Sequence, residues 1–265
     1  KTIVITGSSR GIGREIALKC AKDGANIVII GKTDKPHKKL DGTIHSVSKE
    51  VEALGGNALP IALDIRDTKQ FDDCIQQIIN RFKKINVLIN NASALFLNPI
   101  EKTSQKKFDL ILDVNTKGTF FFTQACLNYL KKEQMSDVIT ISPPLNMTSK
   151  EFKHNLAYTI SKYNMSMITL GLSKKYKKIR FNSLWPAKIV ATAAVKYQLP
   201  KPTYLASRKP TIMSDAAYSI LTNPNKSHTG NFYTDEDVLK KEGISSFKQY
   251  KQISWLPSIN DIFLD

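Results

Sequence analysis

Long hydrophobic runs are missing from this sequence of 265 residues. No segment approaches the ~18 consecutive apolar residues that a helix needs to cross a bilayer, so we predict a soluble chain without a membrane span. Cysteine is also scarce, because the chain has 3 and none of them forms a C-x-x-C pair. This usage does not indicate a disulfide framework or a zinc site, and we expect buried, reduced thiols in an intracellular protein.

Acidic residues are few relative to basic ones, with 23 Asp and Glu against 39 Lys and Arg. The lysines fall in pairs at predicted helix ends, such as Lys83-Lys84 and Lys174-Lys175, where cations are favourable and well solvated. No aromatic-interleaved basic stripe accompanies them, so we favour a solvated surface over a nucleic-acid partner, an alternative that depends on charge alone. The 4 histidines are scattered and offer no metal-ligand spacing, so we predict no metal site.

Apolar segments of strand and helix period alternate along the whole chain. The predicted strands cover residues 2–5, 26–30, 58–63, 87–89, 137–141, 179–185 and 230–233. The predicted helices cover residues 14–21, 44–54, 71–82, 104–132 with a kink at 113–118, 157–176 and 214–221. This alternation predicts one α/β domain over residues 1–265, a Rossmann-type doubly wound parallel sheet with helices on both faces. The irregular, proline-containing stretch at 187–212 is predicted to be a substrate loop.

The stretch Thr6–Gly13 reads TGSSRGIG and lies between the first strand and the first helix. Gly7 permits a sharp turn, Gly11 lets the backbone approach a pyrophosphate, and Gly13 lets helix and strand pack closely. The free N–H groups of the new helix would face the phosphates. We therefore predict a dinucleotide site here, with a plain glycine turn as the alternative. Its predicted cofactor-binding residues are Gly7, Ser9, Arg10, Gly11, Ile12 and Gly13.

The end of the second strand favours NADP over NAD. An acid at this place would bind the ribose 2′-OH of NAD, whereas a basic residue suits a 2′-phosphate. The chain has Gly31-Lys32-Thr33 there, and Arg10 lies in the glycine turn. We predict that Arg10 and Lys32 bind the phosphate, with Lys35, Lys38 and Lys39 adding to the positive field. The alternative is two surface cations that lie near each other by chance.

Polar residues follow the third and fourth strands. Asp64 comes just after the third strand, where it could either reach an adenine edge or cap a helix. Asn91 lies in the run Asn90–Ser93 after the fourth strand and is predicted to line the cofactor site.

Tyr158 and Lys162 are four residues apart at the start of a predicted helix, so they share one face. Tyr197 and Lys201 have the same spacing, but Pro200 between them disfavours a helix. We therefore choose the first pair as the candidate for chemistry.

These motifs together resemble the short-chain dehydrogenase/reductase family, over essentially the whole chain. The resemblance rests on TGxxxGxG at 6–13, Asp64, NNA at 90–92, Asn115, and Tyr158 with Lys162. It implies that Tyr158 is the general acid/base and that Lys162 lowers the pKa of Tyr158 and reaches the nicotinamide ribose. It also implies that Asn115 holds a water that relays protons to Lys162, while the cofactor carries the redox chemistry.

One departure from the family concerns the serine that usually bonds the substrate oxygen at the end of the fifth strand. Pro143 stands there, and the Ser142 side chain should point to the other side of the strand. Asn146 is the preferred substitute, ahead of Ser142 and Thr148, because it has a longer reach and an NH₂ donor. The NNAG form of the family is also altered, to Ser93.

The leading hypothesis is an NADP(H)-dependent oxidoreductase that interconverts a small-molecule carbonyl and an alcohol, with an apolar or lipid-like substrate. The alternative is an NADP(H)-binding sensor or scaffold with little or no turnover. The resemblance further implies a homodimer or homotetramer and a peroxisomal or mitochondrial location. A targeting segment and a following sterol-carrier domain, known in some family members, are expected to be absent or removed.

Overall fold

The computed structural model describes residues 1–37, 40–148, 150–225 and 228–264, with Glu151 described only in its backbone. Lys38 and Lys39, which were predicted to add to a positive field, lie outside the described residues. The strands are β1 (Thr2–Thr6), β2 (Asn26–Gly31), β3 (Asn57–Ala62), β4 (Val87–Asn90), β5 (Ser136–Ile141), β6 (Ile179–Trp185) and β7 (Phe232–Thr234). They form one sheet in the order β3-β2-β1-β4-β5-β6-β7, and every pairing in it is parallel.

Helices connect these strands, as the alternating pattern predicted. They are α1 (Gly11–Ala21), α2 (Ile44–Ala53), α3 (Phe71–Phe82), α4 (Gln105–Ile111), α5 (Gly118–Leu130), α6 (Glu151–His154), α7 (Leu156–Lys175), α8 (Ala193–Gln198), α9 (Lys201–Leu205), α10 (Thr211–Thr222) and α11 (Asp235–Lys241). The predicted fold class, a doubly wound parallel sheet, is confirmed.

The sheet is buried on both faces, which explains why its strands are continuously apolar. Ile3 and Ile5 of β1 pack into the core shared with α1, α2 and α10. Val4 points to the opposite face and belongs to the core shared with α3 and α5. Side chains alternate along a strand, so one short apolar run contributes to both cores.

The helix predicted over 104–132 is divided by a π-helical turn at Leu112–Lys117. Gly118 follows this turn, and a Cβ at that position would lie 2.9 Å from Cγ1 of Ile65. The glycine therefore lets the helix approach the segment after β3. The turn also places the buried Asn115 toward the carboxyl ends of the strands.

The stretch at 187–212 differs from the irregular loop that we predicted, because it contains the short helices α8 and α9. Thr192 caps α8 by accepting a hydrogen bond from the N–H of Val195, and Pro202 lies in the first turn of α9, where no N–H bond is lost. Pro200 is extended between the two helices, so Tyr197 and Lys201 do not share a helix.

The three cysteines are buried and free. Among the residues that the structure describes, no helix has both the length and the apolar character needed to cross a membrane.

Candidate active site

A cavity of about 670 Å³ opens at the carboxyl ends of the strands. After β3 the chain crosses to the other side of β1 and continues as β4, so the turns after β1 and β4 diverge at this point. Such a switch point in an open parallel sheet is where ligands collect. The turn after β1 lines this cavity, and so do Tyr158 and Lys162 of α7.

The turn after β1 has the backbone conformation that its glycines permit. Gly7 has φ +66° and Gly11 has φ +58°, values that side-chain-bearing residues rarely adopt. A Cβ on Gly7 would also lie 2.8 Å from Cα of Ala92, in the loop after β4. Gly7 therefore lets the turn approach this neighbouring loop closely.

The side-chain amide of Asn91 holds the turn after β1 in place. Its Nδ2 donates to the carbonyl oxygens of Thr6 at 2.9 Å and Gly7 at 3.0 Å, so both amide hydrogens are used within the protein. A Cβ on Gly13 would lie 2.5 Å from the same Nδ2. Position 13 must therefore be glycine for two reasons: a side chain there would collide with the Asn91 amide, and it would prevent close packing of helix and strand. Cofactor contact by Asn91 remains a prediction.

We expect Gly13→Ala to destabilise the fold by about 1–3 kcal/mol, because the added methyl group displaces the Asn91 amide. Gly171→Ala is a matched control, since Gly171 lies within α7 and its Cβ would have no atom within 4 Å. Alanine there should stabilise the helix by about 0.5–1 kcal/mol. Urea unfolding of both variants measures the difference, and equal effects would contradict the role given to Gly13.

The N-terminus of α1 is suited to phosphate groups. Its N-cap residue, Arg10, makes no side-chain cap hydrogen bond, and the first turn holds no acid. The unsatisfied N–H groups of a helix start carry partial positive charge, and Gly11 and Ile12 line the cavity at this point. These residues fit the pyrophosphate of a dinucleotide.

Arg10 and Lys32 both line the cavity but lie in different environments. The Arg10 guanidinium donates to the carbonyl oxygens of Asp41 at 2.9 Å and Gly42 at 2.8 Å, and to Oγ1 of Thr33 at 3.3 Å. It therefore ties the segment before α2 to the end of β2. Lys32 is exposed and lines the cavity directly.

Asp64 lines the cavity, but its carboxylate is already bound by Arg66. Nε and Nη2 of Arg66 lie 2.9 Å from Oδ1 and 2.6 Å from Oδ2, respectively, and the Arg66 N–H donates to Oδ1. These hydrogen bonds from Arg66 lower the pKa of Asp64. Of the two interpretations left open, the helix cap is wrong, because Asp67 caps the following 3₁₀ turn. An adenine contact remains a prediction.

Tyr158 and Lys162 lie together on α7 and are both buried. Nζ of Lys162 donates to the carbonyl oxygen of Ile141 at 2.6 Å and lies 5.0 Å from the centroid of the Trp185 ring. Burial lowers the pKa of Lys162 to about 7 and raises the pKa of Tyr158 well above its usual range. Their spacing matches the predicted pair, while the acid/base roles remain implied by resemblance.

Asn115 holds the loop after β4 at a second point. Its Oδ1 accepts from the N–H of Ala94 at 2.7 Å, and its Nδ2 donates to the Ala94 carbonyl oxygen at 3.1 Å and to Oγ of Ser161 at 2.9 Å. These contacts position residue 94 beside α7. The water-holding role stays a prediction.

The substitutes considered for the missing serine do not line the cavity. Oγ of Ser142 lies 2.6 Å from Oγ of Ser183, on the neighbouring strand. Oδ1 of Asn146 accepts from both the N–H and the hydroxyl of Thr148. Because Asn146 does not line the cavity, the structure does not support the preference for it as the donor. Ser93, in contrast, lines the cavity.

A sequence profile described as short chain dehydrogenase matches residues 1–202. The chain belongs to this family. It is 48% identical over 265 residues to hydroxysteroid dehydrogenase-like protein 2 of Homo sapiens, covering 100% of this chain and 63% of that protein. The chain thus spans less than two thirds of the length of this curated relative.

Solved structures of this family superpose closely. A dehydrogenase structure from Xanthomonas campestris has a TM-score of 0.97 at 38% identity, covering 100% of this chain and 98% of the other. A short chain dehydrogenase of Mycobacterium thermoresistibile has a TM-score of 0.94 at 36% identity, with coverage of 100% and 95%. Members of the family use a nicotinamide cofactor, and the cavity residues of this dehydrogenase domain fit one.

Three residues beside Tyr158 and Lys162 in the dehydrogenase domain were not found from the sequence: Trp185, Asp261 and Phe263. Nε1 of Trp185 donates to Oδ1 of Asp261 at 2.6 Å, and the Phe263 ring stacks 6.0 Å from that of Tyr158. Burial raises the pKa of Asp261 to about 7, and its negative charge in turn raises the pKa of Tyr158 and opposes the lowering at Lys162. Trp185 before Pro186 marked a strand end, but no spacing in the sequence linked Asp261 to α7.

Proposed function

We propose that this chain is an NADP(H)-dependent oxidoreductase that interconverts a carbonyl and an alcohol on an apolar or lipid-like substrate. The observation that carries the proposal is one cavity that is lined both by the uncapped start of α1 and by Tyr158 with Lys162. Nicotinamide fluorescence on mixing tests binding, and a ketone panel that includes cyclohexanone and 2-decanone tests turnover. Absence of NADPH binding would overturn the proposal.

The resemblance to the family and the positions of the residues support the following roles. A bound nicotinamide would supply or accept the hydride. Oη of Tyr158 would give its proton to the carbonyl oxygen as negative charge develops there, and would take it back in the reverse direction. Protonated Lys162 would stabilise the phenolate, because a neighbouring positive charge favours the ionised form.

NADP preference is supported by the end of β2. Lys32 is exposed into the cavity, and the acid nearest to it in that segment, Asp34, is paired with His45 at 2.6 Å. Asp64 is held by Arg66. A 2′-phosphate would therefore meet the Lys32 ammonium, whose charge would attract it.

An apolar substrate is supported by the side of the cavity after β6. Apolar residues from this stretch and from the loop after β4 line it, namely Ile189, Val190, Ala194, Val195, Leu199, Leu95 and Leu97. A pocket of this composition gains free energy by covering an apolar ligand.

A second candidate function is NADP(H) binding with little or no turnover, as in a sensor or scaffold. Pro143 favours it, because this residue offers no hydroxyl for the substrate oxygen. Tight NADPH binding without turnover of any ketone in the panel would select this function.

Assembly and location belong to the same proposal. Exposed apolar side chains on α5 and α7, Phe120, Phe121 and Met167, support pairing of two copies into a homodimer or homotetramer. Light scattering of the chain in solution tests this assembly. The peroxisomal or mitochondrial location rests on the resemblance alone, and fractionation of cells that express the whole protein tests it.

Asp261→Asn should shift the pH dependence of alcohol oxidation to lower pH. Above pH 7 the carboxylate is ionised, and its charge raises the pKa of Tyr158. Its removal should therefore lower that pKa, so that the phenolate forms about one pH unit earlier. Initial rates between pH 7 and 10 measure the shift, and a shift to higher pH would contradict the argument.

A further inference from the structure

The active site needs a second hydrogen-bond donor if it reduces a carbonyl, and the place that holds a serine in the family is occupied by Pro143. Ser142 cannot replace it in the observed conformation, because its hydroxyl pairs with Ser183 in the buried sheet. The donor must therefore come from another element that reaches Tyr158.

The loop after β4 reaches Tyr158 and is fixed on both sides of one residue. On one side, the N–H groups of Asn91 and Ala92 donate to Oγ1 of Thr6 at 3.1 and 3.0 Å. On the other side, Asn115 binds both the N–H and the carbonyl oxygen of Ala94. The residue between these two anchors is Ser93.

Ser93 lines the cavity and is not buried in the core. Its side chain is exposed, it lines the cavity together with Tyr158, and it opposes the rise in the pKa of Tyr158 that burial causes. Within the described part of the chain, its hydroxyl makes no hydrogen bond into the sheet, in contrast to that of Ser142. A carbonyl oxygen that accepts the Tyr158 proton would therefore lie within reach of the Ser93 hydroxyl as well.

We propose that Ser93 donates the second hydrogen bond to the substrate oxygen, replacing the hydroxyl that is missing at Pro143. This role rests on the proposed oxidoreductase function. As a hydride adds to the carbonyl carbon, the π electron pair moves to the oxygen, which takes the proton from Oη of Tyr158. The Ser93 O–H stabilises the developing charge and keeps its own proton, so Tyr158 alone supplies the proton of the alcohol.

Ser93→Ala should lower kcat for reduction of 2-decanone by about 10²–10³-fold, the usual effect of losing one such donor. The Kd for NADPH should stay near the parental value, since the substitution removes no phosphate contact. Ser93→Thr keeps a hydroxyl and should retain most of the activity. Ser219→Ala is a matched control on α10, where the serine donates to Glu242 and does not line the cavity. An unchanged kcat in Ser93→Ala, or a fall in Asn146→Ala instead, would overturn the proposal.

A measurement that needs no turnover tests the role of Ser93 separately from the proposed oxidoreductase function. The ¹³Cζ NMR signal of Tyr158, assigned by its loss in Tyr158→Phe, reports the hydrogen bonding of the phenol in the free chain. Ser93→Ala should move this signal and Ser219→Ala should not. If the parent chain showed no turnover, the proposed function would be overturned. The NMR signal alone would then test whether Ser93 pairs with Tyr158. An unmoved signal would refute the pairing with Tyr158, whereas a moved one would support it.

Discussion

Tyr158→Phe is expected to lower carbonyl reduction by about 10²–10⁴-fold, the contribution usually found for a positioned general acid, while NADPH binding changes little. The substitution removes only the hydroxyl. The ring remains, and with it the stacking on Phe263 at 6.0 Å and the packing in the buried core. The expected loss therefore concerns the proton donor rather than the shape of the cavity.

Tyr197→Phe is the matched control for this experiment. Tyr197 also lines the cavity and is also followed by a lysine four residues later, but it lies on α8, is 52% exposed, and is separated from Lys201 by Pro200. Its hydroxyl should contribute nothing to the chemical step. Steady-state rates and nicotinamide fluorescence on both variants give the comparison. If the two variants lost activity to the same extent, the assignment of Tyr158 as the acid would fail.

The features of the site that could be predicted are those set by residues close together in the sequence. The glycine turn could be recognised because a strand, three glycines and a helix start follow one another within a few residues. Tyr158 and Lys162 could be paired because four residues make slightly more than one helical turn. Asp64 was placed correctly after β3, but its ion pair with Arg66 depends on a turn geometry that the sequence left open.

The remaining part depends on contacts between distant segments. Asp261 and Phe263 reach α7 only through the path of the C-terminal tail, which has no periodicity to predict its direction. The orientation of Ser93 likewise requires Thr6 and Asn115 to hold its neighbours from two other elements. The preference for Asn146 was not supported for a related reason, since side-chain reach was judged without knowing that the loop after β5 leaves this residue outside the cavity lining.

Lys32→Asp is expected to convert a preference for NADPH into a preference for NADH. A charge-assisted hydrogen bond to the 2′-phosphate contributes about 1.5–3 kcal/mol, so its loss should weaken NADPH by about 10- to 150-fold. The new carboxylate would repel the phosphate but could accept a hydrogen bond from a ribose 2′-OH. NADH binding should therefore be retained or improved.

Lys35→Asp makes the same change of charge on the same segment. It therefore distinguishes a direct contact between Lys32 and the 2′-phosphate from the electrostatic field of the whole segment. Lys35 is exposed but, unlike Lys32, does not line the cavity. Charges in water are screened over about 10 Å at 0.1 M salt, so this variant should keep most of the parental selectivity. Fluorescence titrations of NADPH and NADH on the parent chain and both variants at two salt concentrations give the six ratios needed. Equal affinity of the parent chain for both cofactors would contradict the NADP assignment. An equal loss in both variants would mean that the net charge of the segment, rather than the Lys32 ammonium, selects the cofactor.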